Sequence, residues 1–354
     1  MKIFKSVITA SVLLLTLSIC GCVSNYQPTV YVAGVNASGA YGNYVATTWA
    51  NGKSTALTDG ASGSEAYSIT VSGGTVYVSG SAYNTTTGDY EARTWKNGTA
   101  TTLPNSTGTN NAEAYGIAVS ASDVYATGYE YPASSSVTTA TYWKNGMAIV
   151  LPNPTGATKA WAEKITVSNN NVYVAGLAYN PTTSALIATI WENGGTGTAL
   201  SANAGIAYSI AVSGSDVYVA GSAYNPATGT YAATIWKNGV ASLLPTYHAG
   251  NAFAFSIAVS GSDVYAAGYL NDATTGHEVA YSWKNGVATA LPAYASKDSA
   301  AGAIAVYGSD VYVAGYEWNV IKNKDVACYW KNGGTAVEVS DGTVEAWANS
   351  IFVQ

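Results

Sequence analysis

From residue 29 onward, apolar residues alternate with small or polar ones in short runs, the period of half-buried β-strands, and Gly, Pro, Asn or Asp punctuates each run. The runs recur. The phrase "VY[VA][AST]G" begins at Val30, Val76, Val124, Val172, Val217, Val264 and Val311. A tryptophan followed by "xNG" stands 19 positions after each valine, at Trp49, Trp95, Trp143, Trp191, Trp236, Trp283 and Trp330. An isoleucine precedes the valine by seven positions at Ile69, Ile117, Ile165, Ile210, Ile257 and Ile304, and its seventh copy is Ile351, near the C-terminus. The step is 45 to 48 residues, a spacing that signals a repeat architecture.

Each repeat predicts four strands: A ("AYSIAVS"), B ("VYVAGxAY"), C ("YAATIWK") and D ("VASLLP"). Asn-Gly joins C to D in all seven, the strongest short-range hairpin signal, because a type I′ turn needs positive φ at both positions. In two repeats an added Gly195 or Gly334 predicts a three-residue hairpin, and Pro104, Pro152, Pro245 and Pro292 close strand D. The strands carry little charge on either face, so each sheet must lie between two others, as in a β-propeller. Transmembrane barrel strands need roughly 9–11 residues of strict alternation, and A and D are too short for that. The first repeat lacks strand A, whereas "AWANSIFVQ" at the C-terminus is a strand A with nothing after it. The expectation is an all-β, seven-bladed propeller over residues 29–354, with the C-terminal strand completing the N-terminal blade and removing the open edges.

The first 21 residues read as a bacterial lipoprotein signal peptide: Lys2 and Lys5, an apolar core, then "ICGC". This ending resembles the lipoprotein box, with Cys22 as the lipidated residue and residues 22–28 as a short linker. The resemblance implies a membrane-anchored, extracytoplasmic protein. Val23 after the lipid site, rather than Asp, favours the outer membrane in a host with two membranes. Removal of the leader leaves twelve cations against twenty acids, a net −8, with Arg93 the sole arginine, so nucleic acid is not expected as a partner. Only Cys328 remains beside Cys22, as a buried small side chain in strand C, and no intramolecular disulfide is expected.

The blades resemble bacterial envelope propellers of the "VYVAG…A…YWKNG…L" type and are similar to HAF-type and other bacterial seven-bladed repeats. The blades do not repeat the paired Gly-His and Trp-Asp signature of one large propeller family, the double-glycine signature of kelch blades or the "SxDxGxTW" box of sialidases. The resemblance therefore implies a fold and a location, and almost no chemistry.

No catalytic, cofactor or metal site is predicted. His248 and His277 lie in different loops without ligand-spaced partners and read as exposed polar residues. "NGKST" at 51–55 imitates a phosphate loop but falls in a C–D hairpin. Asp123, Asp216, Asp263 and Asp310 recur before strand B and read as turn caps. The A–B and C–D turns at one end of the blades are nearly identical, whereas the B–C and D–A loops at the other vary, which marks the second end as the binding face. There, aromatics end strand B at Tyr83, Tyr131, Tyr179, Tyr224 and Trp318, and Glu65, Glu113 and Glu163 stand at or near the start of three consecutive inner strands. These form a candidate platform for a glycan, a peptide or an envelope protein. The expected function is a monomeric, non-enzymatic binding module. The alternatives are a carbohydrate-active enzyme built on the three glutamates or a structural envelope protein with no small ligand.

Overall fold

The structure, a computed structural model, describes residues 27–37, 43–106, 111–131, 137–245, 249–293 and 297–354. The leader, Cys22, His248 and most of the loop "PASSSVTT" lie outside the described residues. Seven four-stranded antiparallel sheets follow one another in a ring, giving a seven-bladed β-propeller. The first blade is assembled from both ends of the chain: Ala346–Val353 pairs with Val30–Ala37, in register from Val30↔Val353 to Asn36↔Ala346, followed by Tyr44–Ala50 and Lys53–Ala56. The Thr29 amide also donates to the Gln354 carbonyl at 2.7 Å. The other blades run sequentially, with inner strands Ser64–Ser72, Asn111–Ser120, Lys159–Ser168, Gly205–Ser213, Ala249–Ser260 and Ser299–Tyr307.

The core is seven inter-blade clusters, each built on one repeat tryptophan together with small and β-branched residues of the two facing sheets. All seven tryptophans are at most 1% exposed. Four indole N–H groups donate to the proline carbonyl that ends strand D of the preceding blade: Trp143 to Pro104, Trp191 to Pro152, Trp283 to Pro245 and Trp330 to Pro292, at 2.7–3.1 Å. Trp49, Trp95 and Trp236 follow blades without that proline, and their Nε1 atoms have no hydrogen-bond partner among the described residues. The proline thus both ends a strand and aims a carbonyl at the next blade.

One expectation needs correction. Burial on both faces holds for strands A to C but not for D: Lys53–Ala56, Thr99–Thr102 and Val240–Leu243 are exposed throughout, as short outer edge strands. As expected, Gly195 and Gly334 lengthen the C–D connection by one residue: Trp330 pairs with Ala336 and Thr189 with Ala199, where Trp236 pairs with Ala241 and Thr234 with Leu243. All seven Asn-Gly pairs keep positive φ at both residues, 47–53° at Asn and 69–82° at Gly, and the Gly195 and Gly334 amides close the same two-residue turn onto Glu192 and Lys331. The extra glycine is absorbed after the turn, where strand D shrinks to Thr198–Ala199 and Ala336–Glu338. Cys328 is fully buried as expected, and burial pushes its thiol pKa up.

Candidate functional site

Every inner strand carries a β-bulge at the same depth. The register against strand B skips one residue, namely Tyr67, Tyr115, Glu163, Tyr208, Phe255, Gly302 and, in the first blade, Asn349. A bulge bends its strand and re-aims the unpaired side chain. It also explains the glycine of "VYVAG": a Cβ on Gly80, Gly128 or Gly176 would overlap the carbonyl oxygen of Glu65, Glu113 or Trp161 on the bulging strand. The seven bulge residues together line a cavity of about 350 Å³ at the channel mouth. In six of the seven inner strands the bulge lies nearer the D–A end, so this mouth opens on the variable-loop face.

Two aromatic walls face each other there. Tyr67 and Tyr115 meet edge-on at 4.9 Å, with Tyr129 beyond them at 5.7 Å. Across the mouth Tyr208 meets Phe255 at 4.7 Å, and Phe255 stacks on Phe253 at 6.0 Å. Between the walls the fourth blade contributes Glu163 and, one residue deeper, Lys164, while Gly302 and Asn349 leave the seventh and first blades open. Acids dominate the electrostatics. Glu113 accepts the hydroxyls of Tyr67 and Tyr129, each at 2.7 Å. Burial, reinforced by the Glu113 charge, raises the pKa of Glu65 and of the Tyr67, Tyr115 and Tyr129 hydroxyls. The same two causes push Glu163 up to about 7, and burial alone brings Lys164 down to about 8.

Lys164 occupies a position that elsewhere has a structural task. In three blades the residue after the bulge is a serine whose hydroxyl accepts an amide of the next inner strand: Ile69 to Ser350, Ile257 to Ser209 and Ile304 to Ser256, at 3.1–3.3 Å. In the third and fourth blades this residue is Gly116 and Lys164. The Lys164 ammonium reaches two blades away and donates to Ser68 Oγ at 2.7 Å, past a blade that presents only Gly116 at that level.

The acids expected at the inner strands are therefore present, but on two levels: Glu65 and Glu113 stand two residues before the bulge, while Glu163 is the bulge itself. The strand B aromatics lie outside the cavity. Tyr83 and Tyr224 pack edge-on against Tyr90 and Tyr231, Tyr131 is 38% exposed, Tyr179 lies beside Lys159 and Leu186, and Trp318 lies beside Asp325. They form an outer rim. The inner lining by Tyr67, Tyr115, Tyr208, Phe255 and Lys164 is not anticipated from the sequence, although "AYS", "AYG" and "AFS" recur in strand A and only "AEK", "AGA" and "ANS" break the phrase. His277 is half-buried rather than exposed, its Nδ1 being 2.9 Å from Asp298.

The opposite face is uniform. Asp123, Asp216, Asp263 and Asp310 each pair with a strand C lysine at 2.7–2.8 Å and accept the turn asparagine amide at 2.8 Å, so they tie the two turns of a blade together. Such exposed pairs are worth little individually, and their sameness argues for structure. Among the described residues no group of three or more His, Cys, Asp or Glu side chains could hold a metal, and no helix is long and apolar enough to cross a membrane.

No protein-family model and no curated protein sequence matches the chain. Several solved structures are similar at 11% identity. The structure of YjhT is matched over 81% of this chain and 96% of its own length, with a TM-score of 0.37. The β-propeller domain of the Trilobed protease from Pyrococcus furiosus is matched over 77% and 82%, with a TM-score of 0.40. The Pyrococcus horikoshii acylaminoacyl peptidase is matched over 78% of this chain but only 46% of its own, with a TM-score of 0.45. Likeness at this level carries nothing about activity.

Proposed function

We propose that this chain is a lipid-anchored, extracytoplasmic binding module whose ligand enters the channel mouth on the variable-loop face. The observation that carries the reading is the ring of bulges. Seven strands deform at one depth around one cavity, six of them aiming a side chain into it and the seventh presenting Gly302, and at that position the repeat departs from its own phrase. Aromatic walls with a few convergent polar groups suit a small polar ligand, with glycans and peptides the leading classes. The outer rim of Tyr83, Tyr131, Tyr179, Tyr224 and Trp318 would meet parts of a ligand that extend beyond the mouth.

Two experiments test the halves of this reading. Metabolic labelling with a fatty-acid analogue should mark the wild type and not Cys22→Ala; equal label on both rejects the anchor. Glycan and peptide arrays should retain the protein, with the signal lost in Tyr115→Ala while the circular dichroism melt is kept. Retention unaffected by Tyr115→Ala would move the site away from the mouth.

One observation favours a second reading, a carbohydrate-active enzyme. Glu163, raised to about 7, can hold a proton near neutrality beside Glu113, which accepts two hydroxyls; an acid and a carboxylate are what glycoside cleavage needs. Turnover of chromogenic glycosides that disappears in both Glu113→Gln and Glu163→Gln supports it, and absence of turnover in the wild type rejects it.

A further inference from the structure

The channel mouth holds an acid and a base side by side in the chain, each without a partner of opposite charge among the described residues. Glu163 takes part in no salt bridge, and the charge acting on it is the like charge of Glu113. Lys164 has a single hydroxyl contact, Ser68 Oγ at 2.7 Å, and no carboxylate. Taking an ionisable group even partly out of water without a counter-charge is unfavourable, so a fold keeps such a half-buried pair only at a cost to its stability. Nothing in blade geometry demands it. Serine at the Lys164 position links adjacent inner strands in three other blades, and tyrosine or phenylalanine fills the Glu163 position in four.

The two charges also stand in a definite order along the axis. Glu163 shares its cavity with the aromatic walls, with Glu65 and Glu113 one step further out. Lys164 lines this cavity too, but it belongs as well to the next cavity down the channel, among the inner-strand isoleucines. A ligand entering from the loop face therefore passes carboxylates and π-faces first, both of which attract cations, and meets an ammonium last.

We propose that the mouth binds a short peptide with free termini, its carboxylate on Lys164 and its α-amine among Glu163, Glu113 and the tyrosine faces. The proposal rests on the channel mouth being the binding site and adds the chemical class and orientation of what it takes. The carboxylate would receive the Lys164 ammonium now held by Ser68. The amine would supply the counter-charge that the acid group lacks, and the two aromatic walls would flank the peptide planes between.

Isothermal titration of the full chain in a polyoxyethylene detergent tests this with tri-alanine, N-acetyl-tri-alanine and tri-alanine amide. Tri-alanine should bind, and blocking either end should weaken it by at least about tenfold. Lys164→Met should weaken tri-alanine to the level of its amide while leaving the affinity for the amide unchanged. Glu163→Gln should do the same for the free amine against the acetylated form. Equal binding of the three peptides, or a Lys164→Met loss that is the same for acid and amide, overturns the proposal. A neutral probe separates this from the wider reading. If chitotriose binds in a Tyr115-dependent way and the peptides do not, the mouth remains the site and the peptide assignment is wrong. If neither binds to folded protein, both are wrong.

Discussion

Trp95 and Trp143 make a matched pair for measuring what a proline carbonyl contributes to blade cohesion. Both indoles are 1% exposed and occupy the same repeat position, so replacing either by Phe removes the same apolar area and leaves a similar cavity. Those terms cancel in the difference. Trp143 Nε1 donates to Pro104 O at 2.8 Å, a bond worth about 0.5–1.5 kcal/mol net. Trp95 Nε1 is buried with no acceptor among the described residues, and relieving an unsatisfied donor of that kind returns about 1–3 kcal/mol. Trp143→Phe should therefore cost more than Trp95→Phe by about 1.5–4.5 kcal/mol. Urea unfolding followed by circular dichroism gives both values, the difference being read as a midpoint shift at constant slope. Repeating the comparison with Trp330, bonded to Pro292, against Trp236, which has no such partner, tests its generality. Equal costs within about 0.5 kcal/mol in both pairs would refute the reasoning.

The clasp predicts that deleting residues 344–354 abolishes cooperative folding: Ile351 and Val353 are buried, each worth roughly 1.5–3 kcal/mol against a typical total of about 5–15, and a whole strand ladder goes with them. A melt matching that of the intact chain would contradict it. Gly128→Ala should lower stability by about 3 kcal/mol or more, because its Cβ would overlap the Glu113 carbonyl, and an unchanged urea midpoint would show that the bulge can move. The axial pair predicts a pH signature. Folded Glu163 keeps its proton up to about 7 against an ordinary 4.5, so its contribution is lost as pH rises through that window; folded Lys164 releases its proton near 8 against an ordinary 10.5, so stability recovers as pH rises above 8. Partial solvent access scales each effect to about 1–2 kcal/mol, with the trough between pH 7 and 8. Thermal melts should show Glu163→Gln flattening the acid side of the trough and Lys164→Met the alkaline side; a wild-type curve that both variants simply parallel would remove the effect.

The parts of this molecule that were legible in the sequence are those written in local, repeated information. Alternation of apolar and polar residues, seven Asn-Gly turns and an invariant Val-to-Trp spacing specify strands, hairpins and blade number without reference to any distant contact, and the incomplete first and last repeats specify the closure. The site obeys a different logic. A bulge is a register relation between two strands, so Glu163 and Tyr115 look like ordinary members of an alternating run until the Gly176 and Gly128 backbones are placed against theirs. Convergence at the axis is a further step. Lys164 meets Ser68, 96 residues earlier, only because the ring brings the inner strands around one channel. The strand B aromatics stood out in the sequence because they end a strand, yet it is radial position that decides exposure to the channel, and that belongs to the closed ring alone.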